Sequence, residues 1–254
     1  MKSRTLQLLI LTISAIPTLA MAQADRQVWE PVPEIVQGVT GGTPPSDAII
    51  LFDGENMAAW QHIRTGNDAQ WELDGDMVTV VPGTGSIETR QHFDNMQLHV
   101  EFRTNPVVEG NGQSRGNSGI FLQSQFEVQI LDSVDNPTYV NGQAAAIYLQ
   151  SAPLVNASRG PGEWQSYDIV YTAPVYGSNG ELQSPAYVTV FHNGVLVQNH
   201  VEIQGTTYTP EPEYNAICTP YQLREARDCT GKMPLRLQDH DQIVSYRNIW
   251  VREL

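Results

Sequence analysis

After residue 45, polar and apolar residues alternate with a period of two, in short runs separated by Gly, Pro, Asn and Asp. The runs AIILF, WELDGDMVTVV, MQLHVEFRT, SGIFLQS, FEVQIL, AAIYLQ, SYDIVYTA, AYVTVFHNGVLVQ, PLRLQDH and IVSYRNIWVREL read as strands. No run keeps a helical period at useful length, and TPYQLREARD is expected to hold one turn. Asn193 and Gly194 supply the positive φ angles of a type I′ hairpin. Asp74, Gly75 and Asp76 mark a second tight turn between Trp71 and Val78. Strands at this spacing predict an all-β sandwich or barrel. In MQLHVEFRT, alternation sends Leu98, Val100 and Phe102 to the core and His99, Glu101 and Arg103 to the other side. That second side is too polar for the space between two sheets, so it should be an outer face, where a curved sheet makes a groove.

The stretch QFEVQILDS raises a particular question. Phe126, Val128 and Ile130 share one side, and Glu127 and Gln129 the other. Strict alternation would put Asp132 on the apolar side, unless an extra residue near Leu131 bulges and turns it back toward Glu127. The expectation is a bulge that places the two acids on one groove face. A plain strand end, with each acid solvated or turn-forming, is the alternative.

Composition narrows the setting. Lys2 and Arg4 precede an apolar run from Leu6 to Ile16 and a small-residue ending, LAMA, so residues 1–22 are expected to be a secretory signal peptide. The mature chain would be periplasmic or secreted, with no membrane insertion. Residues 23–45 are rich in Pro, Gly and Thr and should form an extended arm or linker, leaving 46–254 as one domain. Such a chain buries roughly 70% of its unfolded surface. Without Lys2 and Arg4, 12 basic residues face 28 acidic ones, a net charge of −16. That balance argues against nucleic acid and suits neutral ligands or cations. Cys218 and Cys229 share one segment of an exported chain and should form a disulfide. A metal thiolate pair lacks the close spacing.

Several motifs together resemble the 3-keto-disaccharide hydrolase domain family: LFDGENMAAW, GSIETRQHFDNMQLHVEFRT, GNSGIFLQ, FEVQILD, GEWQSYDIVY, HNGVLVQN and PLRLQDHDQIVSYRNIWVREL, in family order from about Ile50 to Leu254. The resemblance implies a concanavalin A-like jelly-roll sandwich of two antiparallel sheets with a concave ligand groove. It also implies action on glycosides oxidised to a ketone at carbon 3, by hydrolysis or elimination. FEVQILD is further similar to laminarinase-type glycosidases, which carry two glutamates flanking an aspartate on one bulged strand. Here the middle acid is Gln129 and the last is Asp132. Retaining glycosidases need carboxyl groups about 5 to 5.5 Å apart, one of them a nucleophile, so this departure argues against double displacement on an ordinary glycoside.

A 3-keto sugar makes other demands. The ketone acidifies the hydrogen on carbon 2, a base removes it, and the enolate expels the substituent on carbon 1; water can then add back. The route needs a base, an acid for the leaving oxygen and a positive group at the enolate. Glu127 and Asp132, if adjacent, would divide acid and base roles by repulsion. His240 shares a strand face with Gln238 and Arg236, opposite Leu235 and Leu237, and is a second acid or base candidate. Arg103 could stabilise the enolate. Gln129 could orient hydroxyls, with Arg115 and Asn117 beside a Gly-flanked backbone. Gln123 and Gln150 line the groove or satisfy buried backbone, and Trp164 either stacks on a sugar ring or lies in the core.

No catalytic metal motif or GxSxG occurs, although the acids of DGDM or LDSVDN could hold a structural calcium. No redox cofactor is expected, so a separate sugar 3-dehydrogenase would make the ketone. A non-catalytic carbohydrate-binding module and a conventional glucanase are the rival readings.

Overall fold

The computed structural model describes residues 27–39, 41–209 and 211–254; the expected signal peptide lies outside them. Residues 27–36 form a separate unit of exposed chain without strands. The second unit begins at Gln37, upstream of the boundary expected at residue 46. Its first residues are tied down, because Gln37 N–H donates to Ser46 Oγ and Ser46 N–H to Gln37 O.

In chain order the strands are β1 (Ile49–Phe52), β2 (Trp60–His62), β3 (Glu72–Asp74), β4 (Met77–Thr79), β5 (Ile87–Phe93), β6 (Met96–Thr104), β7 (Ser118–Leu122), β8 (Phe126–Ile130), β9 (Gln165–Thr172), β10 (Val175–Tyr176), β11 (Leu182–Ser184), β12 (Tyr187–His192), β13 (Val195–Glu202), β14 (Ile217–Cys218), β15 (Arg227–Asp228), β16 (Met233–Leu237) and β17 (Val244–Glu253). The larger sheet runs β13-β12-β9-β6-β17-β4-β3, with β1 also on β17. The smaller sheet runs β2-β5-β16-β7-β8. Both are antiparallel, and together they make the expected jelly-roll sandwich. The first and last strands are neighbours in one sheet.

Alternation decides what lies between the sheets. Leu98, Val100 and Phe102 of β6 pack in one core with Val128 and Ile130 of β8 and Leu235 and Leu237 of β16. Each such burial stabilises by about 1.5–3 kcal/mol. In β6 the other positions, including His99, Glu101 and Arg103, stay partly exposed on the outer face, as the pattern predicts. Strands β7, β8 and β16 differ: every one of their residues is buried, so both faces of the smaller sheet are covered there.

The covering comes from loops, two of which bond directly to β8 and its approach. AAIYLQ, expected as a strand, follows β8 only by isolated hydrogen bonds: Ala145 N–H to Gln129 O (2.9 Å), Gln129 N–H to Ala146 O (3.0 Å) and Tyr148 N–H to Glu127 O (3.1 Å). Left-handed φ angles at Ala145 (66°) and Leu149 (62°) interrupt the extended path, which is why no strand forms. The second loop follows β13, and its Thr207 donates backbone N–H to Gln125 O and accepts Glu127 N–H on Oγ1.

The turns follow the sequence closely. Asn193 (φ 52°) and Gly194 (φ 78°) join β12 to β13, and Gly75 (φ 60°) lies between β3 and β4. Cys218 and Cys229 are disulfide-bonded with their Cα atoms 5.9 Å apart. The intervening TPYQLREARD carries a turn closed by Leu223 N–H to Pro220 O. Replacing both cysteines by serine should lower unfolding stability by about 3 kcal/mol, the loop entropy released to the unfolded chain. Urea denaturation checks this, and an unchanged midpoint would show that the loop holds itself.

Candidate active site

The covered outer face of the smaller sheet concentrates the chain's buried polar groups. In register across it stand Gln61 and Glu88, Glu88 and Arg236, Arg236 and Phe121, and Phe121 and Glu127. Two residues along each strand is a second row: Gln238, whose N–H donates to Gly119 O, then Gly119, then Gln129. Gly119 is needed there. A Cβ at this position would lie 2.2 Å from Glu127 Oε1, so the carboxyl occupies the space that a side chain would take.

Glu127 is fully buried. Burial pushes its carboxyl up to about 8, against the opposing pull of the Tyr208 hydroxyl and the Arg236 guanidinium. The Tyr208 hydroxyl is close enough to act on it, yet neither carboxyl oxygen has a hydrogen bond of full geometry. Gln129 Oε1, both amide atoms of Gln238 and Arg236 Nε are likewise buried without a full hydrogen bond among the described residues, although the Tyr208 hydroxyl also reaches Gln238. Unsatisfied buried polar atoms each cost about 1–3 kcal/mol, and native proteins keep few of them. Six on one patch of one sheet face mark a place built to hold something polar.

Arg236 is lowered to about 10 by burial, partly offset by Glu88 and Glu127, and so stays cationic at neutral pH. Its two terminal nitrogens donate to Tyr221 O and Ser124 O, and its plane lies 4.5 Å from the Phe121 ring centre. Glu88 is engaged elsewhere, in an ion pair with Arg227 at 2.9 Å. Above Phe121 lies a layer of tyrosines: Tyr208 and Tyr221 stack at 4.1 Å, Tyr148 packs on Tyr208 at 5.2 Å, and the Tyr139 and Tyr148 hydroxyls share a hydrogen bond.

The residues singled out from sequence divide among different places. Glu127 and Gln129 are together on this face, and Gln129 Nε2 donates to Gln113 Oε1 at 2.9 Å. His240 lies three residues beyond the end of β16, half-buried, with no hydrogen bond or ion pair to the described residues. Asp132 does not join them. β7 and β8 pair in unbroken register up to Ser118 and Ile130, where β8 ends, so Leu131 and Asp132 lie beyond the paired strand. Asp132 lies beside Gly116 and Thr104, where Arg115 Nε donates to it at 2.7 Å. Arg115 also donates to the carbonyls of Val134 and Asp135, so its charge is committed to that turn.

Arg103 and Trp164 lie on the other polar face, that of the larger sheet. Arg103 and Arg247 place their guanidinium groups 4.9 and 4.1 Å from the Trp164 ring, so Trp164 is neither a core residue nor near Glu127. On the same face His99 is bonded to Asp168 at 2.7 Å, and burial there is outweighed by Asp168 and Glu101, raising it to about 9. Alternation marks a residue as outward without saying which sheet's exterior it faces, and that is why Arg103 and Glu127 could not be separated beforehand. Gln123 is consumed by structure, donating to Gly231 O and accepting from Tyr171. Gln150 pins the backbone of Gln204 and Gly205. Asn117 bonds Gln113 O and Gln242. Among the described residues no group of three or more His, Cys, Asp and Glu side chains is arranged as metal ligands.

A jelly-roll sandwich that gathers an acid, a guanidinium, two amides and a tyrosine layer on one sheet face has the makings of a carbohydrate-active protein. The chain belongs to the 3-keto-alpha-glucoside-1,2-lyase-like domain family, whose model matches residues 47–252. It is similar to a protein of Parabacteroides distasonis provisionally named a glycosyl hydrolase: 42% identity, TM-score 0.81, covering 97% of this chain and 100% of that one. Two further P. distasonis structures with the same provisional name share the fold. One has 16% identity and TM-score 0.58 over 82% of this chain and 94% of its own; the other has 21% and 0.53 over 82% and 99%. No curated protein matches the sequence.

The buried carboxyl has a stability signature. Below the ordinary Glu pKa both folded and unfolded chains hold the proton. Between that value and about 8 only the folded chain does, so stability falls with rising pH by about 1.4 kcal/mol per pH unit from this group. Glu127→Gln should therefore gain stability over wild type progressively from about pH 5 to pH 8 and level off above. Parallel unfolding curves at all pH values would place the ionisation outside this window.

Proposed function

We propose that the chain cleaves the glycosidic bond of 3-keto-glycosides on the outer face of the smaller sheet, by acid-base elimination or hydrolysis. The observation that carries this reading is Glu127, a carboxyl raised to about 8 with neither oxygen tied up by a full hydrogen bond, beside the buried guanidinium of Arg236. A carboxyl protonated at neutral pH is suited to protonate a leaving oxygen. Arg236 offers its unpartnered Nε to the oxyanion that forms when the proton on carbon 2 is lost, the role that sequence reading gave to Arg103. His240, with no hydrogen bond or ion pair among the described residues, takes that proton. The electron pair left on carbon 2 closes to a double bond as the carbon–oxygen bond at carbon 1 breaks, and the leaving oxygen takes Glu127's proton. Gln129 and Gln238 hold ring hydroxyls.

The match to a 3-keto-alpha-glucoside-1,2-lyase-like family supports the substrate class, and the provisional name of the 42% identical relative supports glycosidic cleavage. The ketone would come from a separate sugar 3-dehydrogenase. Purified protein incubated with the 3-keto and ordinary forms of one disaccharide should cleave the former only, with Glu127→Gln reduced about a hundredfold or more. The rate should fall as pH rises through about 8, where the acid is lost. Cleavage of the ordinary sugar alone would overturn the substrate, and full activity in the variant would overturn the site.

One observation favours a second reading. Asp132 is neutralised by Arg115 in a buried ion pair, which leaves Glu127 without a carboxylate partner, as a carbohydrate-binding module would allow. That reading expects micromolar sugar binding with no cleavage of either disaccharide.

A further inference from the structure

Glu127 and the orphaned amides lie beneath Tyr208, so a sugar can reach them only if something moves. The two central rings of the covering layer are held very differently. Tyr221 sits in the disulfide-closed loop, its carbonyl accepts from Arg236, and the next residue, Gln222, accepts from Ser86 Oγ at 2.6 Å. Tyr208 stands between Thr206 and Thr207, which are bonded to Gln125 and Glu127, and Thr209, whose Oγ1 donates to Thr206 O; Tyr208 itself has no backbone hydrogen bond to the described residues. Its φ of 65° is a left-handed conformation that a bulky residue adopts only under constraint. Tyr208 is 38% exposed while its hydroxyl reaches Glu127 and Gln238.

Resting on the reading that this face takes a sugar, we propose that Tyr208 is a built-in plug, its hydroxyl standing where a sugar hydroxyl binds between Glu127 and Gln238. A neutral pyranose displaces it by a swing of the Tyr208 side chain. The phenol is the right stand-in, because a hydroxyl on a flat ring offers the hydrogen bonding of one sugar hydroxyl and the apolar face of one sugar ring. Tyr221, fixed by its disulfide, remains as the wall of the opened site. With Tyr208 in place water is kept from the acid, and the six orphaned atoms are only partly served by its hydroxyl.

The test reads Glu127 directly. A water-soluble carbodiimide with glycine methyl ester couples to reachable carboxyls, and peptide mass spectrometry gives the rate at Glu127 in the full mature chain. Tyr208→Ala should label at Glu127 at least roughly tenfold faster than wild type, and Tyr208→Phe at about the wild-type rate, because the ring does the covering. Tyr208→Ser replaces the alanine variant if circular dichroism shows that the latter does not fold. Equal labelling in wild type and the small-residue variant overturns the plug. Addition of a 3-keto disaccharide should protect Glu127 from labelling in the opened variant. Faster labelling with neither protection nor cleavage leaves the plug standing and overturns the sugar-site reading instead, so the two failures are distinguishable.

Discussion

The structure turns on one constraint: a carboxyl is buried over a glycine on a strand whose two faces are both covered. Glu127 can lie flat on the smaller sheet only because Gly119, its diagonal neighbour on β7, has no side chain. The loops over that face then remove water, and the proton stays on the carboxyl far above its ordinary range. Arg236 beside it pulls the other way, which keeps the group close enough to neutrality to exchange a proton. Gly119, the loops and Arg236 together set one number, the acidity of a single side chain.

Much of the fold was legible because it depends on local rules. The alternation in β6, the Asn193-Gly194 hairpin, the Asp74–Asp76 turn and the Cys218–Cys229 bridge each follow from a few neighbouring residues. Strands β2 and β5 were less visible. In β5, Thr89 and Arg90 break the apolar spacing, because Thr89 is occupied with the Gln91 carbonyl and with Leu235 N–H. AAIYLQ reads as a strand but bends at two left-handed residues that its apolar character conceals.

The candidate site was legible in halves. Glu127, Gln129 and the face shared by Arg236, Gln238 and His240 came from the two strand motifs FEVQIL and PLRLQDH. Arg236 and Gln238 were noted there only as neighbours of His240, yet their burial makes them more important than Arg103. The tyrosines lie in loops without a period, such as TTYTP and TPYQL, and no pattern assigns a loop to a sheet face. Asp132 shows the opposite difficulty. Its spacing from Glu127 suggested a pair, but Asp132 lies past the end of β8 and its carboxyl is taken by Arg115.

Strand β8 is also the last strand of its sheet, and that position has its own consequence. An outermost strand ordinarily presents a row of free amides and carbonyls to which a strand from another molecule can add. Here the segment from Ala145 to Tyr148 occupies that row, alternately giving and taking hydrogen bonds with Glu127 and Gln129. The strand that bears the acid is thereby shielded from self-association, although β-branched and aromatic residues make it a natural seed for it. Residues 145–148 thus act as an edge guard, and substitutions there should be judged by whether the chain stays monodisperse as well as by what the site does.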